Sequence, residues 1–198
     1  MQLPPLTTLT LELLSDLYHE HLRKSHISLK EHNLLPSIRQ GDRAPLLPFG
    51  EQCVYLDQMR SAYNVGSILR TVEALRLGAV YFHENTPFAT HDKVQKVSMG
   101  SAAIVPCYQI SDLTKLPRPL IALETGIDAE PVSSFIFPQS CTLVIGNEEY
   151  GVSSTVLKEV DAIVEIPLFG KKNSINAACA FAIAAQAMTT HRGVIASC

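Results

Sequence analysis

No run of this sequence is long enough to span a bilayer: the longest apolar stretch, around Ala177–Met188, falls short and is interrupted by Gln186. No C-x-x-C pair occurs among the five cysteines, Cys53, Cys107, Cys141, Cys179 and Cys198, and their number is odd. Cys53, Cys141 and Cys179 lie in apolar runs, so the expectation is reduced core thiols and a cytoplasmic compartment. There is no basic surplus either. Sixteen Lys and Arg face nineteen Asp and Glu, a formal net charge of −3, which leaves any nucleic-acid binding to a local patch. The opening "MQLPPLTTLTLELLSD" has no basic n-region and carries Glu12, so no signal peptide is expected. Repeats and low-complexity tracts are missing as well, which argues against extended disorder.

What is present is enough for one sizeable α/β core: 198 residues, 46% of them hydrophobic. Residues 7–40 read as helical, with an apolar stripe of Leu9, Leu11, Leu13, Leu14 and Leu17, and "GDRAPLLPFG" (41–50) reads as a linker. The expected organisation is therefore a helical extension and linker over 1–50 and a second domain over 51–198. From residue 51 short β-rich runs begin: "CVYLD", "AVYFH", "AIVPCY", "PLIALE", "CTLVIG" and "AIVEIPL". Between them lie "NVGSILRTVEALRLG", "HDKVQKVSMG", "VSSTVLKEVD" and finally "SINAACAFAIAAQAMTTHR". Strands alternating with helices predict a mostly parallel α/β sheet covered on both faces, with ligands bound beyond the C-terminal strand ends.

Three segments after strands are more polar than a turn requires. In "RSAYNVGSILRT" (60–71), Asn64 suits a helix N-cap, Val65, Ile68, Leu69, Val72 and Leu75 form a buried stripe, and Arg70 falls on roughly the opposite side. Taken alone, Arg70 reads as a solvated arginine. In "LVIGNEEYGVSS" (143–154) a strand runs into Gly146, whose missing Cβ lets a ligand's flat face approach. Glu148 follows, then Gly151, with Ser153 or Ser154 as a helix cap. In "IPLFGKKNSINAACAFAIAA" (166–185) two lysines and two asparagines crowd a loop before an alanine-rich helix, which Asn173 or Ser174 could cap. Neither G-x-x-x-x-G-K-[ST] nor G-x-G-x-x-G is present, which removes the phosphate cradle and weighs against a nicotinamide-dependent oxidoreductase.

The ordered set N-x-G-x-x-x-R (64–70), G-N-E-x-x-G (146–151), I-P-L (166–168) and S-I-N (174–176), with "VSMGSAAIVP" (97–106) between, resembles one family. It is similar to the SpoU (TrmH) group of RNA 2′-O-ribose methyltransferases, within the SPOUT superfamily, over about residues 51–190. Ser174-Ile175-Asn176 stands where that group commonly has Ser-Leu-Asn, Lys171 and Lys172 make the preceding loop more basic, and Glu149 sits beside Glu148.

The resemblance implies a C-terminal trefoil knot, a homodimer built partly from the helix over 174–190, and S-adenosylmethionine as cofactor. The implied cofactor positions are Leu123, Glu124, Thr125, Gly146, Ile166, Leu168, Ser174 and Ile175. Arg70 becomes the residue that acts on the ribose hydroxyl, as base or, since a guanidinium stays protonated, by binding phosphate and orienting the hydroxyl. Asn64, Glu148, Ser174 and Asn176 complete the implied catalytic set. Arg60, Arg70, Lys93, Lys96, Lys171 and Lys172 are the candidate RNA contacts, with tRNA favoured over rRNA. The alternative is a catalytically silent member of the same fold that binds S-adenosylmethionine or RNA. His19, His21, His26 and His32 have no tight ligand spacing, so no metal is expected.

Overall fold

The computed structural model describes residues 11–25, 47–126 and 128–190; Leu9, His26, His32 and the rest of the expected 7–40 helix and 41–46 linker lie outside them. The chain divides into two units, 1–46 and 47–198. The first contains α1 (Leu11–Lys24), with Leu13 and Leu14 exposed and a Glu20–Lys24 ion pair (2.7 Å) one turn apart near its C-terminal end.

The second unit is built on seven strands: β1 (Gln52–Leu56), β2 (Val80–His83), β3 (Cys107–Ile110), β4 (Leu120–Leu123), β5 (Glu130–Pro131), β6 (Cys141–Ile145) and β7 (Ala162–Glu165). Their order is β3-β2-β1-β6-β4-β7-β5, and every pairing is parallel. β1 and β6 are buried along their whole length, as expected for parallel strands covered on both sides. Among the described residues no helix is long and apolar enough to cross a membrane.

The two faces are covered unequally. On one, α2 (Ala62–Ala74), α3 (Asp92–Ser98) and α5 (Ala177–Thr190) bury Val65, Ile68, Leu69, Val72, Val94, Phe181, Ala184, Ala185 and Met188 against Val54, Leu56, Phe82, Leu143 and Ile145. On the other, the four-residue α4 (Ser154–Leu157) and the turn around Leu113–Leu116 cover Tyr55, Ala122 and Val144. The expected helical cover on this second face is thus reduced to short pieces. The run "AIVPCY" also differs from a simple strand: Ser101–Ala103 form a 3-10 turn, Val105 packs into the core, and pairing with β2 begins only at Cys107. β5, two residues long, carried no hydrophobic signal to find it by.

The apolar C-terminal helix is buried on one side only. Phe181, Ala184, Ala185 and Met188 face the sheet, while Cys179, Ile183, Gln186 and Thr190 form an exposed stripe at helical spacing. Cys179 is therefore a surface thiol and not the core thiol its apolar neighbours suggested, whereas Cys53 and Cys141 are buried as expected. The Gln52 amide donates to the carbonyls of Met188 and Pro138, each at 3.0 Å, and so pins the C-terminal end of α5 beside the start of β1.

Candidate active site at the ends of strands β1 and β6

Neighbouring strands β1 and β6 send their chains to opposite faces. After β1 the chain enters α2 on the thick side, and after β6 the loop 146–153 leads to Val152 and Val156 on the thin side. Such a divergence opens a crevice beyond the carboxyl ends of the strands.

Glu148 stands at this crevice. Its carboxylate accepts from the backbone N–H of Arg60 (3.0 Å) and Ser61 (3.1 Å) and from the Asn64 side-chain amide (2.8 Å). Asn64 in turn accepts through Oδ1 from the Asn176 amide at 3.0 Å. Asn176 Oδ1 then accepts from the backbone N–H groups of Ala178 (2.9 Å) and Cys179 (3.2 Å), the cap of α5. One continuous chain of hydrogen bonds thus joins the first turn of α2, the loop after β6 and the start of α5. Partial burial pushes the Glu148 carboxyl up, but the hydrogen bonds from Arg60, Asn64 and Ser61 outweigh it and hold it below the ordinary glutamate range. The carboxylate is an anchor kept ionised.

Two expectations about caps change here. Ser61, not Asn64, caps α2, accepting from the Asn64 backbone N–H at 3.3 Å, so the Asn64 side chain is released to Glu148. Asn176, not Asn173 or Ser174, caps α5. Ser153 caps α4 as expected. The two adjacent acids, both exposed, are told apart by their partners: Glu148 takes the backbone N–H groups at the start of α2 and the Asn64 amide, while Glu149 pairs with the Arg60 guanidinium at 2.7 Å.

The loop after β6 is folded tightly enough to need its glycines. A Cβ on Gly146 would run into the backbone of Gly151 and Val152, which bridge back through Asn147 and Gly151. The missing Cβ expected to admit a ligand therefore admits the loop itself. Gly151 has φ +73° and lies against the Glu124 carboxylate, which accepts from Val152 N–H at 2.9 Å. Buried Asp57, which the sequence reading did not single out, accepts from Ser153 N–H at 2.7 Å. Asn147 donates to the Gln58 carbonyl at 2.6 Å and so holds Gln58 in the left-handed region, φ +53°.

The remaining candidates fall into two groups. Leu123, Glu124, Gly146 and Ile166 lie at or just beyond the ends of β4, β6 and β7, and Thr125 N–H donates to its neighbour Glu124 at 3.0 Å. Leu168, Lys171, Lys172, Ser174 and Ile175 lie exposed on the arc between β7 and α5. Arg70 is exposed on α2, about 9 Å along the axis from Asn64 and roughly 120° around it, and its side chain makes no hydrogen bond or ion pair with another described residue. Lys93 and Lys96 are exposed on α3. The Asn64–Glu148–Asn176 cluster is brought together; the side chains of Arg70, Ser174 and the lysines form no hydrogen bond with it.

Comparison with known proteins gives this arrangement a family. An uncharacterised tRNA/rRNA methyltransferase of Mycoplasma genitalium is 31% identical over 140 residues, 66% of this chain and 57% of that protein. The chain thus spans little more than half the length of the curated relatives it matches. Among solved structures, the SpoU methyltransferase AviRb of Streptomyces viridochromogenes, in complex with the cofactor AdoMet, superposes with a TM-score of 0.66 at 25% identity, over 74% of this chain and 60% of that one. A structure concerned with 2-OH methylation of C/U34 on tRNA matches with a TM-score of 0.62 at 21% identity, over 70% of this chain and 94% of that one, and so bears on the fold. The model of the SpoU rRNA Methylase family matches residues 51–186, and the chain belongs to that family.

Proposed function

We propose that this chain is an S-adenosylmethionine-dependent RNA methyltransferase acting on a ribose 2′-hydroxyl, with tRNA favoured over rRNA as substrate. The observation that carries the reading is the Asn64–Glu148–Asn176 hydrogen-bond chain, which ties one residue from each of three family motifs together at the crevice between β1 and β6. AviRb, which shares the fold and 25% identity, is a methyltransferase with AdoMet bound.

The exposed arc 166–175 fits such a cofactor in its chemistry. Leu168 and Ile175 offer apolar contacts, Ser174 a hydroxyl, and Gly170 backbone with open space where a Cβ would stand. With Leu123–Thr125 and Ile166 these are the residues that would hold it. When bound, S-adenosylmethionine supplies a methyl on a positively charged sulfur. The chain's own part is to present the hydroxyl in line with that methyl. No histidine lies in the motifs, and a guanidinium stays protonated, so Arg70 binds the phosphate beside the target ribose and orients the hydroxyl. Glu148 holds Asn64 and the first turn of α2, and thereby fixes the helix that carries Arg70. Arg60, Lys93, Lys96, Lys171 and Lys172 supply further phosphate contacts.

The same reading includes a knotted passage of the C-terminal segment, a helical extension over 1–50 ahead of the methyltransferase domain, a cytoplasmic location and a homodimer. The exposed stripe of Cys179, Ile183, Gln186 and Thr190 on α5, which mixes apolar and small polar groups, supports the dimer.

The test is single-turnover methylation of RNA. Arg70→Ala should lower transfer by about 100-fold or more while leaving cofactor affinity and stability near wild type, and Arg70→Lys should restore little. Mass-spectrometric analysis of nucleosides from cells with and without the protein should show one missing 2′-O-methyl nucleoside. Failure of the wild-type protein to bind S-adenosylmethionine in a calorimetric titration would overturn the reading.

A further inference from the structure

Four large aromatic side chains are exposed among the described residues: Tyr63 (62%), Tyr108 (53%), Tyr150 (51%) and Phe169 (98%). Tyr108 lies on the edge strand β3 and packs on Tyr81, ring centroids 5.6 Å apart. The other three make no aromatic contact with a described residue, and their positions are not scattered. Tyr63 is next to Asn64, Tyr150 is two residues beyond Glu148, and Phe169 is on the arc that ends in Asn176. Each of the three segments joined by the hydrogen-bond chain therefore carries one bare aromatic ring.

Structure does not demand these rings. The residues that hold the segments together are Asn64, Glu148 and Asn176, while Tyr63, Tyr150 and Phe169 point away from any core. An exposed phenylalanine leaves its whole ring in water, a cost that only a later contact offsets. The arc also carries cations, Lys171 and Lys172 just after Phe169, while Arg60, before Tyr63, is paired with Glu149. Glu148 is occupied by its donors and Glu149 by Arg60. Bare rings interleaved with Arg and Lys are how proteins hold unpaired nucleotides, the rings taking the base faces and the cations the phosphates.

We propose that Tyr63, Tyr150 and Phe169 are stacking contacts for unpaired bases beside the target ribose, so that the RNA segment presented to the site is single-stranded. This rests on the reading of the site as one for RNA. A base in a duplex is stacked on its own neighbours and offers no free face, so a paired target would leave the three rings idle. A second copy of the chain is a poorer occupant, because the exposed stripe of α5 lies on a different element and the rings come with phosphate-seeking cations.

The experiment is a fluorescence-anisotropy titration of the full chain with a labelled, unstructured oligoribonucleotide of about twelve nucleotides and with the same strand annealed to its complement. Tyr63→Ala, Tyr150→Ala and Phe169→Ala should each weaken binding of the single strand by roughly 5- to 100-fold, the usual yield of one aromatic platform. Tyr63→Phe and Tyr150→Phe should hold affinity within about two-fold, since the ring and not the hydroxyl carries the contact, whereas Phe169→Leu should behave like the alanine variant. Binding of the duplex should be weaker and unmoved by any of them. Alanine variants that bind the single strand like wild type, or a duplex that binds as tightly, would overturn the proposal. So would substitutions that shift only the oligomeric state. Calorimetric titration of S-adenosylmethionine separates this from the reading beneath it. Ring-dependent RNA binding without cofactor binding would sustain the stacking contacts and sink the methyltransferase.

Discussion

The loop 146–153 reaches Asn64 through Glu148, the arc 166–175 only through the Asn176 that follows it, and the two are built on opposite terms. In the loop 146–153 most polar groups are committed: Asn147 to Gln58 and to Glu149 N–H, Glu148 to α2, Val152 N–H to Glu124, Ser153 N–H to Asp57. In the arc 166–175 no residue forms a hydrogen bond with another described residue, and from Pro167 onward all are exposed. Both follow parallel strands of the sheet, β6 and β7, and both contain glycine. The difference teaches that a motif glycine or polar residue can serve the frame or the ligand, and that its surroundings decide which. The polar groups of the first loop are taken up mostly by the frame around it, and those of the second stand open among the described residues.

Substitution of the two motif glycines should separate the segments most sharply. Gly146→Val must displace the Gly151–Val152 backbone, and a loss of about 3 kcal/mol in urea unfolding is expected, the upper range for overpacking. Gly170→Ala enters open space and should leave stability within about 0.5 kcal/mol, so equal losses at both positions would erase the contrast.

A smaller effect is expected at Glu148. Glu148→Ala leaves two backbone N–H groups and the Asn64 amide without their acceptor, at a cost of about 1–3 kcal/mol. The sign of its pH dependence follows from its direction of shift. The folded carboxyl sits below its unfolded value, so the unfolded chain takes up the proton first. The contribution is complete at neutral pH and fades as pH falls through the ordinary glutamate range toward the folded value. Wild type should therefore lose stability on acidification more steeply than Glu148→Ala, as followed by thermal melts across acidic pH.

The smallest change in stability belongs to Ser174→Ala, which removes a hydroxyl with no partner among the described residues. Unfolding should stay within about 0.5 kcal/mol of wild type, while S-adenosylmethionine affinity drops in calorimetry. A stability loss without an affinity loss would move the arc into the same class as its neighbour.

Much of this was legible in the residues. The buried runs of β1 and β6 announce parallel strands because covered strands need apolar groups on both faces, and the α2 stripe from Val65 to Val72 follows helical spacing. Tertiary choices were less accessible. The cap of α2 could be Ser61 or Asn64 by residue type, and only the position of Glu148 decides that Asn64 has other work. Gly146 has the same letter whether it faces a ligand or its own loop. Cys179 sits in an apolar run, but the run is a helix open on one side, and periodicity alone does not say which residues are left outside. Nothing in the spacing of Tyr63, Tyr150 and Phe169 sets them apart; their exposure in the folded chain does.

The hydrogen bond from Asn176 to Asn64 crosses 112 residues of sequence, and the one from Gln52 to Met188 crosses 136. Contacts at such separation form slowly, because the intervening chain must be organised before they return any stability. During synthesis on the ribosome, β1, α2 and β6 emerge long before their partner in α5 exists. A nascent chain halted short of residue 176 can assemble sheet and acidic anchor yet still lack the third arm of the crevice. Helix α5 thus sets when the hydrogen-bond chain through Asn64 can first close.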